Sequence, residues 1–207
     1  MRVSETTIEG VKLIVPDRFE DHRGSYLEIY DSANFKEATG EDINFVQDDI
    51  SVSRKGVLRG LHGDMHTTKL VTVLNGSGYA VIADNRPESP TYKTWEAFTL
   101  SSDNRNQLLL PAGIGNSVLA LEDNLIYYYK QNTHFVDGRQ FTIKRHDRDW
   151  ETELPMPAGS KSWFLLSDDK VNASQVLYVG DSGLLSAIIA YPEPLRTVTS
   201  FVVCTSP

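Results

Sequence analysis

Short runs of β-branched and aromatic residues, each bounded by turn residues, constrain the fold of this chain more than any other feature. The segment 69–84, KLVTVLNGSGYAVIAD, places two such runs on either side of an Asn-Gly pair. Asn-Gly supplies the positive backbone angles of a tight turn, so the pattern predicts a β-hairpin. The segment 106–131 repeats the pattern, with strands that end at Leu110 and Leu121 and a third, tyrosine-rich strand. This succession predicts an all-β sandwich or barrel of the jelly-roll type.

A helical pattern is found in one segment, 31–40, with the sequence DSANFKEATG. Ser32 is the expected N-cap and Gly40 the expected terminator. From residue 151 the strand pattern weakens into a loop rich in proline and glycine, followed by apolar runs that can form two late strands. We therefore predict one jelly-roll domain over 1–150, with one or two short helices, and an irregular extension over 151–207 that packs on the barrel and is not an independent domain.

Composition excludes several classes of function. The 207 residues can bury a full core, and the lone cysteine, Cys204, rules out an intrachain disulfide and favours a reducing compartment. No apolar run reaches the ~20 residues of a membrane span and the N-terminus lacks the apolar core of a signal peptide, so the predicted location is the cytoplasm. The formal charge of −8 opposes binding to nucleic acid or to an anionic membrane. An anionic ligand then needs local cations, and the first half of the chain offers Arg23, Arg59, Lys69 and Arg86.

The segment 56–70, GVLRGLHGDMHTTKL, concentrates residues that can carry chemistry. One hypothesis is a metal site in which His62 and His66 are joined, after the later Pro-x-Gly turn, by Asn116. A side-chain amide is a poor ligand for zinc or iron, so this hypothesis is disfavoured. We expect no metal here, and His66 is predicted to be a solvated loop residue.

Acid–base chemistry suits the segment better. Histidine has an ordinary pKa of about 6.5 and can take and return a proton near neutral pH. A nearby lysine or arginine can stabilise the anion that proton removal creates, such as an enolate. Further along, Tyr127, Tyr128 and Tyr129 alternate in direction on a strand, so at least one phenol points inward. Core packing of the tyrosines, and ordinary surface positions for Arg59 and Lys69, are the alternatives.

Taken together, six stretches of the chain resemble the nucleotide-sugar 3,5-epimerases typified by dTDP-4-dehydrorhamnose 3,5-epimerase, a cupin-like jelly-roll family. The blocks VLRGLH and DNRPESPTY are the most specific of them. The resemblance implies a cupin-type jelly roll whose substrate is a 4-keto sugar on a nucleoside diphosphate, with no metal or redox cofactor. The six stretches are DHRGSYLE (21–28), FVQDDISVSRKGVLRGLH (45–62), KLVTVLNG (69–76), DNRPESPTYKTW (84–95), LSSDNRNQLLLPAGIGN (100–116) and YYYK (127–130).

The resemblance also implies roles for individual residues. His62 occupies the position of the base that removes a proton at C3 or C5. Lys69 matches the residue that holds the enolate, and Tyr129 matches the residue that returns a proton from the opposite face. The nucleotide site is expected to borrow residues from a second subunit, so a homodimer is implied. The implied substrate-binding residues are Arg23, Glu28, Gln47, Arg59 and Asn116.

Three departures from the family pattern concern individual residues. Asn116 stands where the family usually has a histidine, and Ala80 where it usually has an aspartate. The carboxylate that partners the catalytic histidine usually follows an LS signature, and strict spacing falls on Lys170. A shift of one residue makes the partner Asp169 rather than Asp168.

Other departures bear on the substrate. The loop after His62 is shorter than in rhamnose enzymes, and RGLHGD, TTKL and YYYK resemble the branch that acts on GDP-linked 4-keto heptoses in bacterial capsule pathways. The prediction is therefore an isomerase that inverts C3, C5 or both of a 4-keto (deoxy)hexose or heptose linked to GDP or dTDP, for surface polysaccharide synthesis. The alternatives are a catalytically impaired barrel that binds a nucleotide sugar and a metal-dependent cupin.

Overall fold

The computed structural model describes residues 1–143 in full, together with the backbone of two later strands at 175–179 and 185–189. Strands dominate this part of the chain, and one short helix, α1 (Ser32–Thr39), interrupts them. The strands are β1 (Arg2–Glu5), β2 (Lys12–Val15), β3 (Arg18–Asp21), β4 (Gly24–Leu27), β5 (Gln47–Ser53), β6 (Leu58–Asp64), β7 (Lys69–Asn75), β8 (Ser77–Asp84), β9 (Trp95–Ser101), β10 (Gln107–Leu110), β11 (Ile114–Ala120), β12 (Leu125–Gln131), β13 (Gln140–Ile143), β14 (Gln175–Val179) and β15 (Leu185–Ile189).

Two antiparallel sheets form the body of the fold. The first has the strand order β1-β2-β10-β7-β12-β5, and the second has the order β15-β14-β6-β11-β8-β9, with β13 also paired to β6. From β5 to β8, and again from β10 to β12, each strand lies in the sheet opposite to the strand before it. This alternation is a jelly-roll arrangement, which confirms the predicted all-β, cupin-type fold. β3 and β4 form a separate two-stranded ribbon.

The apolar core lies between the two sheets. Val71 and Leu108 of the first sheet pack in one cluster with Ile82 and Val118 of the second. On β7 this core begins two residues after Lys69, and on β12 it ends near Tyr129, so apolar residues fill one part of the space between the sheets. The part beside the first residues of β7 and the last residues of β12 is left for polar side chains.

The predicted hairpin at 69–84 is wrong, although its turn exists. Gly76 has a positive φ of 79°, as an Asn-Gly turn requires. However, β7 pairs with β10 and β12, whereas β8 pairs with β9 and β11. The turn therefore carries the chain across the core from one sheet to the other. Both strands are buried over most of their length, and each finds its partners elsewhere in the sequence.

The three strands predicted within 106–131 are confirmed as β10, β11 and β12. The second of them ends at Ala120, one residue before the predicted end. Gly113 in the turn before β11 has a φ of 86°, which a residue with a side chain rarely adopts. These three strands also alternate between the sheets, so β11, which follows the Pro-x-Gly turn, and the tyrosine-rich strand β12 lie on opposite sides of the core.

Helix α1 is confirmed, with one correction at its start. The N-cap is Asp31 and not Ser32: the Asp31 carboxylate accepts from the backbone N–H groups of Ala33 and Asn34, at 3.0 and 2.9 Å. Asp31 has the extended backbone angles of an N-cap, with φ −135° and ψ 130°, whereas Ser32 is already the first residue of the helix. Gly40 ends the helix with a φ of 76°. At eight residues, this helix of the described chain is too short to span a membrane.

Part of the C-terminal region is also formed of strands. β14 pairs with β6 opposite Arg59 and Leu58, and β15 pairs with β14, so they extend the second sheet. β15 lies in the apolar region where two late strands were expected, and β14 precedes that region. The prediction of a dependent extension over 151–207 stays a prediction, because its other residues lie outside the described part of the chain.

Candidate active site

A cavity of about 360 Å³ lies between the two sheets, where the apolar core ends. Its walls come from β5, β7 and β12 of the first sheet and from β6, β11 and β13 of the second. Six of the nine predicted site residues line it, which are Gln47, Arg59, His62, Lys69, Asn116 and Tyr129. The fold therefore brings together residues that are separated by up to 82 positions in the sequence.

His62 lies on β6 between β11 and β13. Its cross-strand neighbours are Asn116 and Thr142, and its Nδ1 is 2.9 Å from the Thr142 hydroxyl. Burial lowers the pKa of His62, and the positive charge of Lys69 lowers it further. The neutral imidazole, which can accept a proton, is therefore favoured at neutral pH.

Lys69 is the first residue of β7 and lies on the facing sheet. Burial lowers the pKa of Lys69, while the carboxylates of Asp64 and Asp49 oppose that effect. Its ammonium lies 5.7 Å from the centre of the Tyr129 ring, within the range of a cation–π contact. Lys69 thus places a positive charge close to a phenol inside the cavity.

The tyrosine-rich strand β12 presents two phenols to the cavity, Tyr127 and Tyr129, with ring centres 6.2 Å apart. Tyr128 points the other way, as the alternation of a strand predicts, and its hydroxyl is 3.4 Å from Lys130 Nζ. The Tyr127 hydroxyl accepts from Asn116 Nδ2 at 2.8 Å, and burial raises the pKa of Tyr127. Tyr129 is the phenol beside Lys69.

Arg59 supplies the second cation of the cavity. Its Nε donates to Ser53 Oγ at 2.9 Å and its Nη2 to the Val52 carbonyl at 3.1 Å, which fixes the guanidinium against β5. Burial lowers the pKa of Arg59, and Tyr129 raises it. An arginine stays charged at neutral pH in any case, so Arg59 and Lys69 together favour an anionic ligand.

Sequence reasoning missed five polar residues of the wall, namely Asp49, Ser51, Ser117, Gln131 and Gln140. Asp49 Oδ2 accepts from the amides of Gln47 and Gln131, each at 2.8 Å. The Ser51 hydroxyl is buried without a hydrogen-bond partner among the described residues. Strand alternation was the available signal, because Asp49 and Ser51 follow Gln47 at spacings of two on β5.

Two predicted residues, Arg23 and Glu28, do not line this cavity, and a third lies outside the described part of the chain. Arg23 lies in the exposed turn of the β3–β4 ribbon and pairs with Asp21. Glu28 accepts from Asn34 Nδ2 at 2.8 Å in a separate surface depression beside α1. Asp169, the predicted partner of His62, lies outside the described residues, and so does Asp168.

Two comparisons with known proteins identify the relatives of this chain. The family model for dTDP-4-dehydrorhamnose 3,5-epimerase matches residues 5–174. The chain is also 34% identical over 178 residues to the dTDP-4-dehydrorhamnose 3,5-epimerase of Shigella flexneri, an alignment that covers 84% of this chain and 96% of the relative. The chain belongs to the dTDP-4-dehydrorhamnose 3,5-epimerase family.

Other members of the family differ in the reaction that their names state. A dTDP-4-dehydrorhamnose 3-epimerase of Streptomyces niveus is 32% identical over 188 residues, covering 89% of this chain and 88% of the relative. Among solved structures, a dTDP-4-dehydrorhamnose 3,5-epimerase of Bacillus anthracis with TDP and pyrophosphate bound is 35% identical, with a TM-score of 0.72, and covers 81% of this chain and 95% of that one.

Membership in this epimerase family confirms the predicted resemblance and places the chain among enzymes. The relatives described above carry dTDP-sugar names, so the GDP-heptose branch stays a prediction. Within the described residues, no three His, Cys, Asp or Glu side chains are grouped as a metal site would need. His66 is an exposed residue of the turn after β6, as predicted, and its N–H donates to Asp64 at 2.7 Å.

Proposed function

We propose that this chain inverts C3, C5 or both of a 4-keto hexose or heptose that is linked to a nucleoside diphosphate. The observation that carries the proposal is that His62, Lys69 and Tyr129, from three different strands, line one cavity. A 4-keto group acidifies the C–H bonds on either side of it. Inversion then requires a base, a cation for the enolate and a proton donor, which are the three functions these side chains can supply.

In the first proposed step, the neutral imidazole of His62 takes the proton from C3 or C5. The electron pair of that C–H bond forms the double bond of an enolate, and the negative charge moves to the ketone oxygen at C4. The lowered pKa of His62 keeps the imidazole in its basic form. The Lys69 ammonium stabilises the charged oxygen.

In the second proposed step, the Tyr129 phenol donates its proton to the same carbon from the other side. The enolate electron pair forms the new C–H bond and the ketone is restored. The Tyr129 phenolate and the His62 imidazolium then return to their starting states by proton exchange with water. Inversion is expected because His62 belongs to the second sheet and Tyr129 to the first, so a sugar between the sheets meets them on opposite faces.

The rest of the substrate is assigned to the polar wall of the cavity. Arg59 and Gln47 are proposed to bind the diphosphate or the nucleoside, because they add a cation and an amide beside the reacting groups. Family membership supports dTDP as the nucleotide, whereas the shorter loop after His62 and the neighbouring motifs support GDP and a larger sugar. Surface polysaccharide synthesis and a cytoplasmic location belong to the same proposal.

We also propose a homodimer in which the β3–β4 ribbon of one chain reaches the cavity of the other. Phe19 and Tyr26 on this ribbon are 66% and 70% exposed, which is unusual for aromatic residues of a monomer. β5 is an edge strand with Ile50 and Val52 exposed. In such a dimer the aromatic residues of the ribbon would be buried, and Arg23 would lie close to the diphosphate of the substrate.

Hydrogen exchange at the sugar carbons tests the proposed reaction. The chain is incubated in deuterated water with dTDP-linked and GDP-linked 4-keto sugars, and incorporation at C3 and C5 is followed by NMR spectroscopy. We expect deuterium at one or both carbons together with inverted product. Binding of the nucleotide sugar without exchange would favour the impaired barrel, for which Asn116 and Ala80 are the motivating departures. No exchange with any candidate contradicts the proposal.

A further inference from the structure

Asp49 places a carboxylate inside the cavity that the proposed function assigns to an anionic substrate. It lies on β5 directly opposite Tyr129 of β12 in the antiparallel register. Side chains at directly opposite positions have Cβ atoms roughly 5 Å apart and interact. Asp49 Oδ2 accepts from Gln47 Nε2 on β5 and from Gln131 Nε2 on β12, each at 2.8 Å. These two hydrogen bonds fix the orientation of the carboxylate.

The charged surroundings of Tyr129 are asymmetric. Among the described residues that line the cavity, Asp49 is the only carboxylate. The other charged or titratable groups that line the cavity around Tyr129 are Arg59 and His62 of β6, Lys69 of β7 and Tyr127 of β12. Asp49 is therefore the group that can offset positive charge beside the phenol.

A carboxylate in this position has two opposite effects. It weakens the attraction of the cavity for a diphosphate, because like charges repel. It also disfavours a phenolate at Tyr129 and favours an ammonium at Lys69. We propose that Asp49 is a positioning residue whose negative charge keeps Tyr129 protonated and Lys69 charged, so that the site holds its proton donor and its enolate-binding cation ready. This proposal deepens the proposed function and rests on it.

The protonation behaviour of the two partners agrees with this geometry. Burial raises the pKa of Tyr129 and Asp49 raises it further, while Arg59 lowers it. Burial lowers the pKa of Lys69, and Asp64 and Asp49 raise it. Removal of the Asp49 charge therefore moves the pKa of both groups downward, and both changes reduce the active form at high pH.

The variant Asp49→Asn removes the charge and keeps an oxygen that can accept from both glutamine amides. We expect the alkaline limb of the pH profile for inversion to move down by about one pH unit, and KM for the nucleotide sugar to fall. Asp48→Asn is the matched control. Asp48 is the preceding carboxylate on β5. Its Oδ1 accepts from Lys130 Nζ at 2.7 Å, on the side of the strand that faces away from the cavity. The alkaline limb of Asp48→Asn should match that of the unchanged protein.

A substrate-free measurement separates this proposal from the proposed function. Titration of ¹³Cζ-labelled tyrosine by NMR, with the Tyr129 signal assigned by Tyr129→Phe, should give a lower pKa in Asp49→Asn than in the unchanged protein. Asp49→Glu keeps the charge and should retain the high value, which guards against misfolding of the asparagine variant. If Asp49→Asn loses activity with unmoved pKa values, Asp49 only supports the two glutamines and the proposal is overturned. Absence of deuterium exchange in the unchanged protein would overturn the proposed function, whatever the pKa values of the Asp49 variants.

Discussion

At the scale of single residues, burial and one neighbouring charge determine what each side chain of the cavity can do. His62 is kept neutral by its surroundings and by Lys69, while Tyr129 is kept protonated by burial and by Asp49. The proposed base and the proposed acid are thus both in their working forms at neutral pH, on facing sheets. Composition cannot reveal this, because the shifts arise only when β5, β6, β7 and β12 come together.

The variant Lys69→Met should raise the pKa of His62, because it removes the cation that favours the neutral ring. In the unchanged protein, deuterium exchange should fall as the pH drops through a pKa below about 6.5, since only the neutral imidazole accepts a proton. NMR titration of His62, assigned with His62→Gln, measures the pKa directly. Lys36→Met, at an exposed pair with Asp42, is the control and should leave it unmoved. An unchanged His62 pKa in Lys69→Met would contradict this electrostatic account.

At the scale of elements, the sequence predicted where strands lie better than which strands pair. The period of two along QDDISVS identifies inward positions, and applying it beyond Gln47 would have found Asp49 and Ser51. The turn at Gly76 was also predictable, since positive φ values favour glycine. The pairing was not, because a hairpin and a crossing between facing sheets use the same tight turn. Only the partners of β7 and β8, which lie far along the chain, decide between them.

The helix start offers a direct test of the corrected cap. Asp31→Ala should lower the free energy of unfolding by about 1 kcal/mol, because two backbone N–H groups lose their acceptor. Ser32→Ala, at the first helical residue, should change it by only a few tenths of that amount. Urea denaturation of both variants gives the comparison. Equal losses, or a larger loss for Ser32→Ala, would reject Asp31 as the cap.

The loop between β8 and β9 is held by a buried ion pair. Asp84 has no exposed side-chain surface, and it accepts from Arg86 Nε and Nη2 at 2.8 and 2.7 Å. Ser89 and Thr91 also donate to Asp84 Oδ2, at 2.6 and 2.7 Å. Arg86 in turn donates to the Glu9 carbonyl at 2.7 Å. The specific DNRPESPTY block therefore ties the N-terminal turn to the sheet, and Arg86 is not a ligand-binding cation of the cavity.

The contribution of this cluster to the free energy of unfolding should depend on pH in the acid range. Burial raises the pKa of Asp84, but the bonds from Arg86, Ser89 and Thr91 outweigh it and lower the value to about 2. The stabilisation is therefore complete above the unfolded pKa of about 3.9 and is lost as the pH falls toward 2. Asp84→Asn should lose about 3 kcal/mol at pH 7 and much less at pH 2, measured by denaturant unfolding. Asp42→Asn, at an exposed pair, should lose less than about 1 kcal/mol, and equal losses in the two variants would count against this cluster.

At the scale of the whole molecule, a single chain does not assemble every predicted site residue. Arg23 and Glu28 lie on or near the β3–β4 ribbon, away from the cavity that holds His62. A contact between two chains leaves no pattern in the sequence of one chain, so the proposed role of these two residues came from the family resemblance alone. The exposed aromatic residues of the ribbon are the structural feature that supports the proposed homodimer.

Complementation tests the proposed exchange of ribbons. His62→Ala and Arg23→Ala should each be nearly inactive as homodimers. When the two variants are unfolded, mixed in equal amounts and refolded together, about a quarter of the sites should contain both an intact base and an intact arginine from the partner. The activity of the mixture should return to about a quarter of that of the unchanged protein. Recovery indistinguishable from that of the separately refolded variants would mean that Arg23 acts within its own chain or not at all.

In the proposed reaction, two facing sheets present a base and an acid to opposite faces of one sugar ring. The most direct measurement is the fate of the C–H bonds in deuterated water with the variant Tyr129→Phe. We predict that this variant still exchanges hydrogen at the carbon attacked by His62 but forms little inverted product, while His62→Ala loses exchange by at least about 100-fold. Full inversion by Tyr129→Phe, or undiminished exchange by His62→Ala, would contradict the account.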